Sequence, residues 1–500
     1  MKYNFIETDD IKKTILELNG VSEERLNKEY DFTIKDEVFL NFKDKLLEYK
    51  DLKFLIVGDF DADGICSTTI ISKLLKHLNI ESNYYIPSRI KDGYGLNDSI
   101  VETAHKYHFD VLLLVDNGIV CNKQIELAHS YGVKVLIIDH HEYDTLPDAE
   151  AIIHSNIVSN DYSNLSAGGL CYLLSSLFYD DELSLVLGGI STISDVMSVL
   201  GFNRSLIKKA YSKLQEGNIS CINLLNDNKE ITYDSISYTI IPKINAISRM
   251  EPMGNPNHLV KFFLEEDISK AKEYIEKINY INNERKIYSN KMIDEANRSI
   301  TNKPIEIITL SNYFEGLCGL VANRLLYSLG RPTIVVSLKE GIYKGSARSP
   351  EGFNIFEQLK DFDGYLSYGG HENAVGLSFK EENLTIFKEY ISSINYSEEE
   401  KTVDGIILDT DKINFDLIKD IESLMPFGNG FKEPMLVIEN NNYKKIIISG
   451  KYPKFIINTN LSAISFNESL KDEIPAFFIG RLSKDSYRAN CLSFTIEQMI

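Results

Sequence analysis

Three runs of apolar residues end in acid. Phe54-Leu55-Ile56-Val57 leads into Gly58-Asp59-Phe60-Asp61-Ala62-Asp63-Gly64, Val111-Leu112-Leu113-Leu114-Val115 leads into Asp116-Asn117-Gly118, and Val133-Lys134-Val135-Leu136-Ile137-Ile138 closes on Asp139-His140-His141. Near-continuous apolar runs of this kind predict strands covered on both faces, as in a parallel sheet between helices. Parallel strands share one direction, so their C-terminal ends gather at one edge of the sheet, where ligands bind in open α/β folds. Carboxylates and imidazoles converging there are what a pair of hard divalent cations needs, so the pattern points to a metal-dependent hydrolase.

The rest of the chain divides by texture. Its 500 residues exceed what one core supports and predict roughly two to four domains. The first fifty residues mix charge and apolar side chains and read as a helical segment (1–50). Repeated strand–helix alternation follows (51–255), consistent with βαβ units. The charged stretch 256–303 has no Pro or Gly between Pro256 and Pro304, and carries Ile268, Ala271, Ile275, Ile278, Met292 and Ala296 at helical spacing. It predicts one long connecting helix. A second α/β region (304–398) opens at Ile305-Glu306-Ile307-Ile308, and the last hundred residues (399–500), with short strand-like runs and turns such as Asn440-Asn441-Asn442, predict a small β-barrel of OB type.

Composition excludes some classes. No segment is apolar enough to span a membrane, and Met1 to Glu7 lacks a signal-peptide core. The six cysteines form no CxxC pair, which argues against a zinc knuckle and suits a reducing cytoplasm. The net charge of −20 does not advertise nucleic-acid binding, yet it says little about a groove where a few arginines sit beside bound metal. Acid at Glu381-Glu382 and Glu398-Glu399-Glu400 reads as solvated surface.

Asp61 and Asp63, two apart at a strand end, predict carboxylates facing one side. Gly64 relaxes the turn, with Ser67 or Thr68 as candidate caps for the helix behind it. The DxDxDG pattern resembles a calcium loop, but Ile70 occupies the position where that loop places its glutamate. Asp116 adds a carboxylate placed to bridge two ions, His140 a nitrogen that favours Mn²⁺ over Mg²⁺, and Asp195 a carboxylate that completes the cluster.

These motifs, in this order, resemble the DHH/DHH-associated phosphoesterases, and within them the RecJ family of single-strand-specific 5′→3′ exonucleases. The matching stretches are Val57 to Gly64, Val115 to Gly118, Asp139-His140-His141, and Asp195 with Asn203-Arg204 following. Further along come Pro87-Ser88-Arg89, Gly93-Tyr94-Gly95-Leu96, Asn245 to Met250, Gly345-Ser346-Ala347-Arg348-Ser349, Gly369-Gly370-His371 and Phe427-Gly428-Asn429-Gly430. The resemblance implies two Mn²⁺ ions bridged by Asp116 (Mg²⁺ being the alternative), with Asp63, His140 and Asp195 on one, Asp61 on the other, and Asp59 as an extra ligand. It implies that His141 orients or protonates phosphate oxygens. It also implies that Arg89, Arg249, Ser346 and Arg348 form a 5′-phosphate pocket, and that Gly369, Gly370 and His371 approach the strand. Phe455 and Tyr487 are candidates for base stacking, with burial as the competing role.

Single-stranded DNA is then the substrate, a helicase and a single-strand-binding protein are the expected partners, and the expected state is a monomer. The chain departs from the family's usual pattern at Val375, at Ser198-Val199 and, in the last domain, at Gly430 to Pro434 and Lys451 to Lys454, of which the last two bear on that domain's DNA contacts. The alternatives are a phosphodiesterase of short oligonucleotides or cyclic dinucleotides, a manganese pyrophosphatase, and a non-catalytic replication factor. The extra hundred residues after the associated domain argue against the first, the GGH segment against the second, and the complete ligand set against the third.

Overall fold

The computed structural model describes residues 2–397, 402–467, 470–472, 475–485, 488 and 490–499. Two compact units emerge: residues 31–197 with 205–398, and residues 1–30 with 198–204 and 399–500.

The larger unit contains two five-stranded sheets. In the first, the strands Ser82–Tyr85, Phe54–Val57, Val111–Val115, Lys134–Asp139 and Ala151–His154 lie in that order, all parallel. By chain order this is 2-1-3-4-5, so the sheet reverses its winding between Phe54–Val57 and Val111–Val115, the switch point at which such sheets open a crevice. The three predicted strands are present; Phe54–Val57 and Val111–Val115 are buried along their whole length and Lys134–Asp139 at all but its first residue, as continuous apolar runs require. The helix Ala62–His77 follows the first strand and packs on the helices Ala167–Ser176 and Glu182–Ser194. Its cap is the Asp61 carboxylate, which accepts from Asp63 N and Gly64 N; Ser67 lies inside the helix and donates to Asp63. A β-carbon on Gly64 would sit 2.5 Å from the backbone nitrogen of Asp59, so the turn closes only with glycine there.

The second sheet runs Tyr365–His371, Ala374–Lys380, Ile342–Arg348, Thr333–Lys339, Glu306–Ser311, antiparallel except for the last pair. The predicted connecting helix is two helices, Asn257–Leu264 and Ile268–Arg298, parted at Glu265-Glu266-Asp267, where Asp267 caps the second by accepting from Ser269 N. Ala271, Ile275, Ile278, Met292 and Ala296 are buried as the spacing predicts; Ile268, at the exposed first turn, is not. This helix packs on Ile241–Arg249 and also on Cys318–Leu329 and Glu306–Ser311, and so ties the two sheets' layers together. Glu381 and Glu382 are exposed, as a solvated acidic face should be, whereas Glu398-Glu399-Glu400 lies outside the described residues.

The smaller unit corrects the predicted boundaries. Residues 2–7 form a strand, not a helix, and pair in parallel with Thr402–Ile407. The helices Ile11–Leu18 and Glu23–Leu26 follow, while Glu37–Glu48 belongs to the larger unit. The sheet has eight strands, in the order Lys2–Glu7, Thr402–Ile407, Leu436–Glu439, Phe477–Lys484, Leu492–Met499, Leu461–Ile464, Tyr452–Ile456, Lys444–Ile448. Residues 198–204 also belong here. The Arg204 guanidinium donates to the carbonyls of Leu424, Met425 and Pro426 at 2.7, 2.8 and 2.9 Å, and stands over the Phe431 ring. Phe455 is buried, its ring centroid 4.5 Å from that of Phe478, so the burial reading holds and it offers no face for a base; Tyr487 lies outside the described residues.

Candidate metal centre and arginine pocket

The carboxylates of the three motifs converge at the switch point. Asn117 donates from Nδ2 to the carbonyls of Val57 and Val115, and so staples the two strands between which the crevice opens. Asp116 has φ of 60°, a left-handed turn that Asp tolerates better than most residues, and its amide donates to Ile138 O. Its side chain is almost wholly buried.

His140 Nε2 lies 3.2 Å from Asp116 Oδ1, 3.5 Å from Asp195 Oδ2 and 3.7 Å from Asp63 Oδ2. Three sets of ligand atoms lie mutually within 4.8 Å: Asp63, His140 and Asp195; Asp59, Asp61 and Asp116; Asp116, His140 and His141. Asp116 is shared between the last two sets, and His140 between the first and third, so the sets form one continuous cluster.

Asp63 is anchored. Its oxygens accept from Ala167 N at 3.0 Å and Gly168 N at 2.8 Å, at the start of the helix Ala167–Ser176, where the helix dipole favours negative charge. The hydroxyls of Ser191 and Ser67 donate to it as well. A β-carbon on Gly168 would fall 2.4 Å from Ser191 Oγ, so glycine lets the helix reach this carboxylate.

Electrostatically the cluster is overloaded with acid. Burial first, and then the neighbouring aspartates, push the carboxyls of Asp59, Asp61 and Asp116 above their usual range; the same causes raise Asp195 to about 8. Asp59 Oδ1, Asp116 Oδ1 and His140 Nε2 are buried without a hydrogen-bond partner among the described residues. Such orphaned acceptors in low dielectric cost free energy unless a cation serves them. Five carboxylates (Asp59, Asp61, Asp63, Asp116 and Asp195) and the His140 nitrogen fit two divalent ions, with the nitrogen suited to a transition metal.

Asp139 plays a different part. Its Oδ2 accepts from Ile119 N, and its Oδ1 from the amides of His140 and His141 and from His141 Nδ1 at 2.7 Å. Burial opposes charge on His141, but this carboxylate outweighs it and lifts the imidazole to about 9. The Tyr94 hydroxyl lies 3.1 Å from both ring nitrogens of His141 and donates to Asp116 O. Sequence reading did not assign roles to Asp139 and Tyr94, since orientation of a histidine leaves no spacing signature.

Arginines border the acid. Arg89 stands 4.8 Å over the Phe60 ring, and Phe60 meets Tyr94 edge-on. The pKa of Arg249 is pushed down by burial and then by Arg89, with Asp61 of the acidic cluster opposing and Arg285 and Arg348 adding to it. Arg348 Nη1 donates to Ser346 Oγ and to Ala347 O, and Ser346 donates to Val375 O. Gly369, Gly370 and His371 lie on the exposed edge strand of the second sheet, with no hydrogen bond or ion pair to the acidic cluster among the described residues. The register nevertheless places them in line with the pocket: Ser346 faces Gly376, which faces Gly369, and Arg348 faces Ala374, which faces His371.

The model of the DHH family's N-terminal domain matches residues 53–190, that of the DHHA1 domain 302–395 and that of the RecJ OB domain 404–494. The single-stranded-DNA-specific exonuclease RecJ of Bacillus subtilis is 30% identical over 83% of this chain, and the chain spans 56% of that protein's length. The RecJ of Haemophilus influenzae is 29% identical, with 83% of this chain and 81% of that protein covered. The structure of RecJ with Mn²⁺ from Thermus thermophilus superposes with a TM-score of 0.85 over 98% of this chain and 75% of that one, at 20% identity, which speaks to the fold. Three domains in this order, together with relatives that match across them, place the chain in the RecJ group of the DHH/DHHA1 family.

Proposed function

We propose that the chain is a metal-dependent exonuclease that removes nucleotides from the 5′ end of single-stranded DNA. The observation that carries this reading is the conjunction, within one compact unit, of an over-charged acidic cluster and arginines that form no ion pair among the described residues. The relatives' activity, that of single-stranded-DNA-specific exonucleases, is the chemistry such a pair of sites would serve.

Asp63, His140 and Asp195 would hold one cation and Asp59 and Asp61 the other, with Asp116 between them; Mn²⁺ suits the imidazole nitrogen, and Mg²⁺ is the alternative. Cations held there would activate a water as nucleophile and offset charge developing on the phosphate. His141, protonated at neutral pH and held through Nδ1 by Asp139, donates from its other nitrogen to a phosphate oxygen. Arg89, Arg249 and Arg348, with Ser346, bind the terminal 5′-phosphate through planar forks that match its oxygens. The glycines at 369 and 376 leave a strip of the second sheet bare of side chains, over which a sugar–phosphate backbone can lie. A pocket for the strand's end beside a cutting site makes the enzyme an exonuclease.

A helicase and a single-strand-binding protein are the partners that would supply such a strand. The free cysteines agree with a reducing compartment, and among the described residues no helix is long and apolar enough to cross a membrane.

The test is Mn²⁺-dependent digestion of single-stranded DNA labelled at either end, with duplex and RNA controls. Early release of mononucleotide from the 5′ end supports the proposal. Consumption of di- to tetranucleotides only would replace it with a short-oligonucleotide phosphodiesterase, and binding without turnover would replace it with a scaffold.

A further inference from the structure

Arg285 belongs to no sequence motif discussed above. It projects from the middle of the helix Ile268–Arg298, and its Nε donates to Asn282 Oδ1 at 3.0 Å, one turn earlier. Asn282 is itself buried, 4% exposed, in a helix that packs against the one carrying Arg249. A buried asparagine inside a helix is costly unless its polar atoms are used. Here it takes up the inner N–H of the guanidinium and leaves both terminal nitrogens without a protein acceptor among the described residues.

Counter-ions are missing for the whole group. Among the described residues, none of Arg89, Arg249, Arg285 and Arg348 forms an ion pair with a carboxylate. Arg331, in the same unit, shows the ordinary arrangement: its Nη2 meets the wholly buried carboxylate of Glu306 at 3.1 Å. Burial lowers the pKa of Arg285, and the charge of Arg285 acts on Arg249 ahead of that of Arg348. Gathering buried guanidinium groups without ion-paired carboxylates is unfavourable unless an anion of more than one charge occupies the space between them. A terminal phosphate monoester carries about −1.5 to −2 at neutral pH and three acceptor oxygens, whereas an internal diester carries a single charge.

We propose that Arg285, oriented by Asn282, is a fourth guanidinium of the pocket and contacts the terminal 5′-phosphate of the bound strand. This rests on the exonuclease reading above. Its consequence is specificity: the pocket distinguishes the doubly charged end of a strand from every phosphate within it. Asn282 acts as a positioning residue, through Arg285.

The experiment compares kcat/KM on oligonucleotides with a 5′-phosphate and with a 5′-hydroxyl, for the unsubstituted protein, Arg285→Gln, Arg285→Lys and Asn282→Ala. Arg285→Gln should lower the preference for the phosphate about tenfold, mainly through KM. Arg285→Lys should recover part of it, and Asn282→Ala should fall between Gln and the unsubstituted protein. Thermal melts without DNA establish that each variant is folded, and Arg285→Lys carries the test should the Gln variant prove unstable. An unchanged preference overturns the proposal. An equal loss on both substrates, with a salt dependence shallower by about one charge, overturns it in favour of an internal phosphate. If the unsubstituted protein digests DNA from the 5′ end but shows no preference for the phosphate, the pocket assignment falls with it; if it does not digest DNA at all, the exonuclease reading itself has failed.

Discussion

Arg204 and Arg249 carry the same side chain to opposite ends. Arg204 is 3% exposed and spends its guanidinium on the carbonyls of Leu424, Met425 and Pro426 and on the Phe431 ring, which holds the turn before Leu436–Glu439. Arg249 is set among other arginines and opposite Asp61, with no carboxylate in ion-pair reach among the described residues. The acidic cluster repeats the contrast: Asp139 has its acceptors satisfied by amides and an imidazole, while Asp116 and Asp59 keep orphaned oxygens. Buried polar groups that hold a fold together are partnered, and those that await a ligand are not.

The sharpest way to break this contrast is Asp116→Asn. Turnover with Mn²⁺ should fall about a thousandfold, because the shared carboxylate is lost, while the melting temperature in EDTA stays level or rises as repulsion is relieved. A large loss of metal-free stability would instead make Asp116 a structural residue.

Arg204→Met should be expensive in stability, about 3 kcal/mol in urea unfolding, since three buried carbonyls lose their donor. Arg249→Met should cost less than about 1 kcal/mol, or stabilise, since it relieves unpaired charge. Equal costs would erase the distinction between the two arginines. Adding Mn²⁺ at about a hundred times its dissociation constant should stabilise the larger unit by about 2.7 kcal/mol, read as a rise in melting temperature; Asp116→Asn should lose most of that rise. Asp139→Asn should reduce kcat about 10- to 100-fold by releasing His141 from its charged anchor. A loss as large as that of Asp116→Asn would mean that Asp139 itself meets the metal.

What was legible in the sequence is what depends on local pattern. Unbroken apolar runs specify strands buried on both faces, the acid that ends each run is carried by chain direction to the same edge, and the helical stripe from Ala271 to Ala296 lies where its spacing puts it. The gathering of Asp59, Asp61, Asp63, Asp116, His140 and Asp195 follows from those features together with the ordered motifs. Boundaries were less legible. Residues 2–7 form a strand because an edge almost four hundred residues away, Thr402–Ile407, supplies its hydrogen bonds, and a short segment's local propensity is easily overridden by such pairing.

The sequence by itself therefore determined the parallel sheet and which side chains meet at its switch point, because period and direction are properties of single strands. Only the tertiary structure decided which polar groups are already spoken for. That Asn117 staples two strands, that Arg204 holds a turn and that the charge of Arg285 acts on Arg249, with no ion pair to either among the described residues, all depend on partners distant in the chain. Hydrogen-bond satisfaction is a three-dimensional sum, and no residue's own position in the chain reveals whether its share has been used.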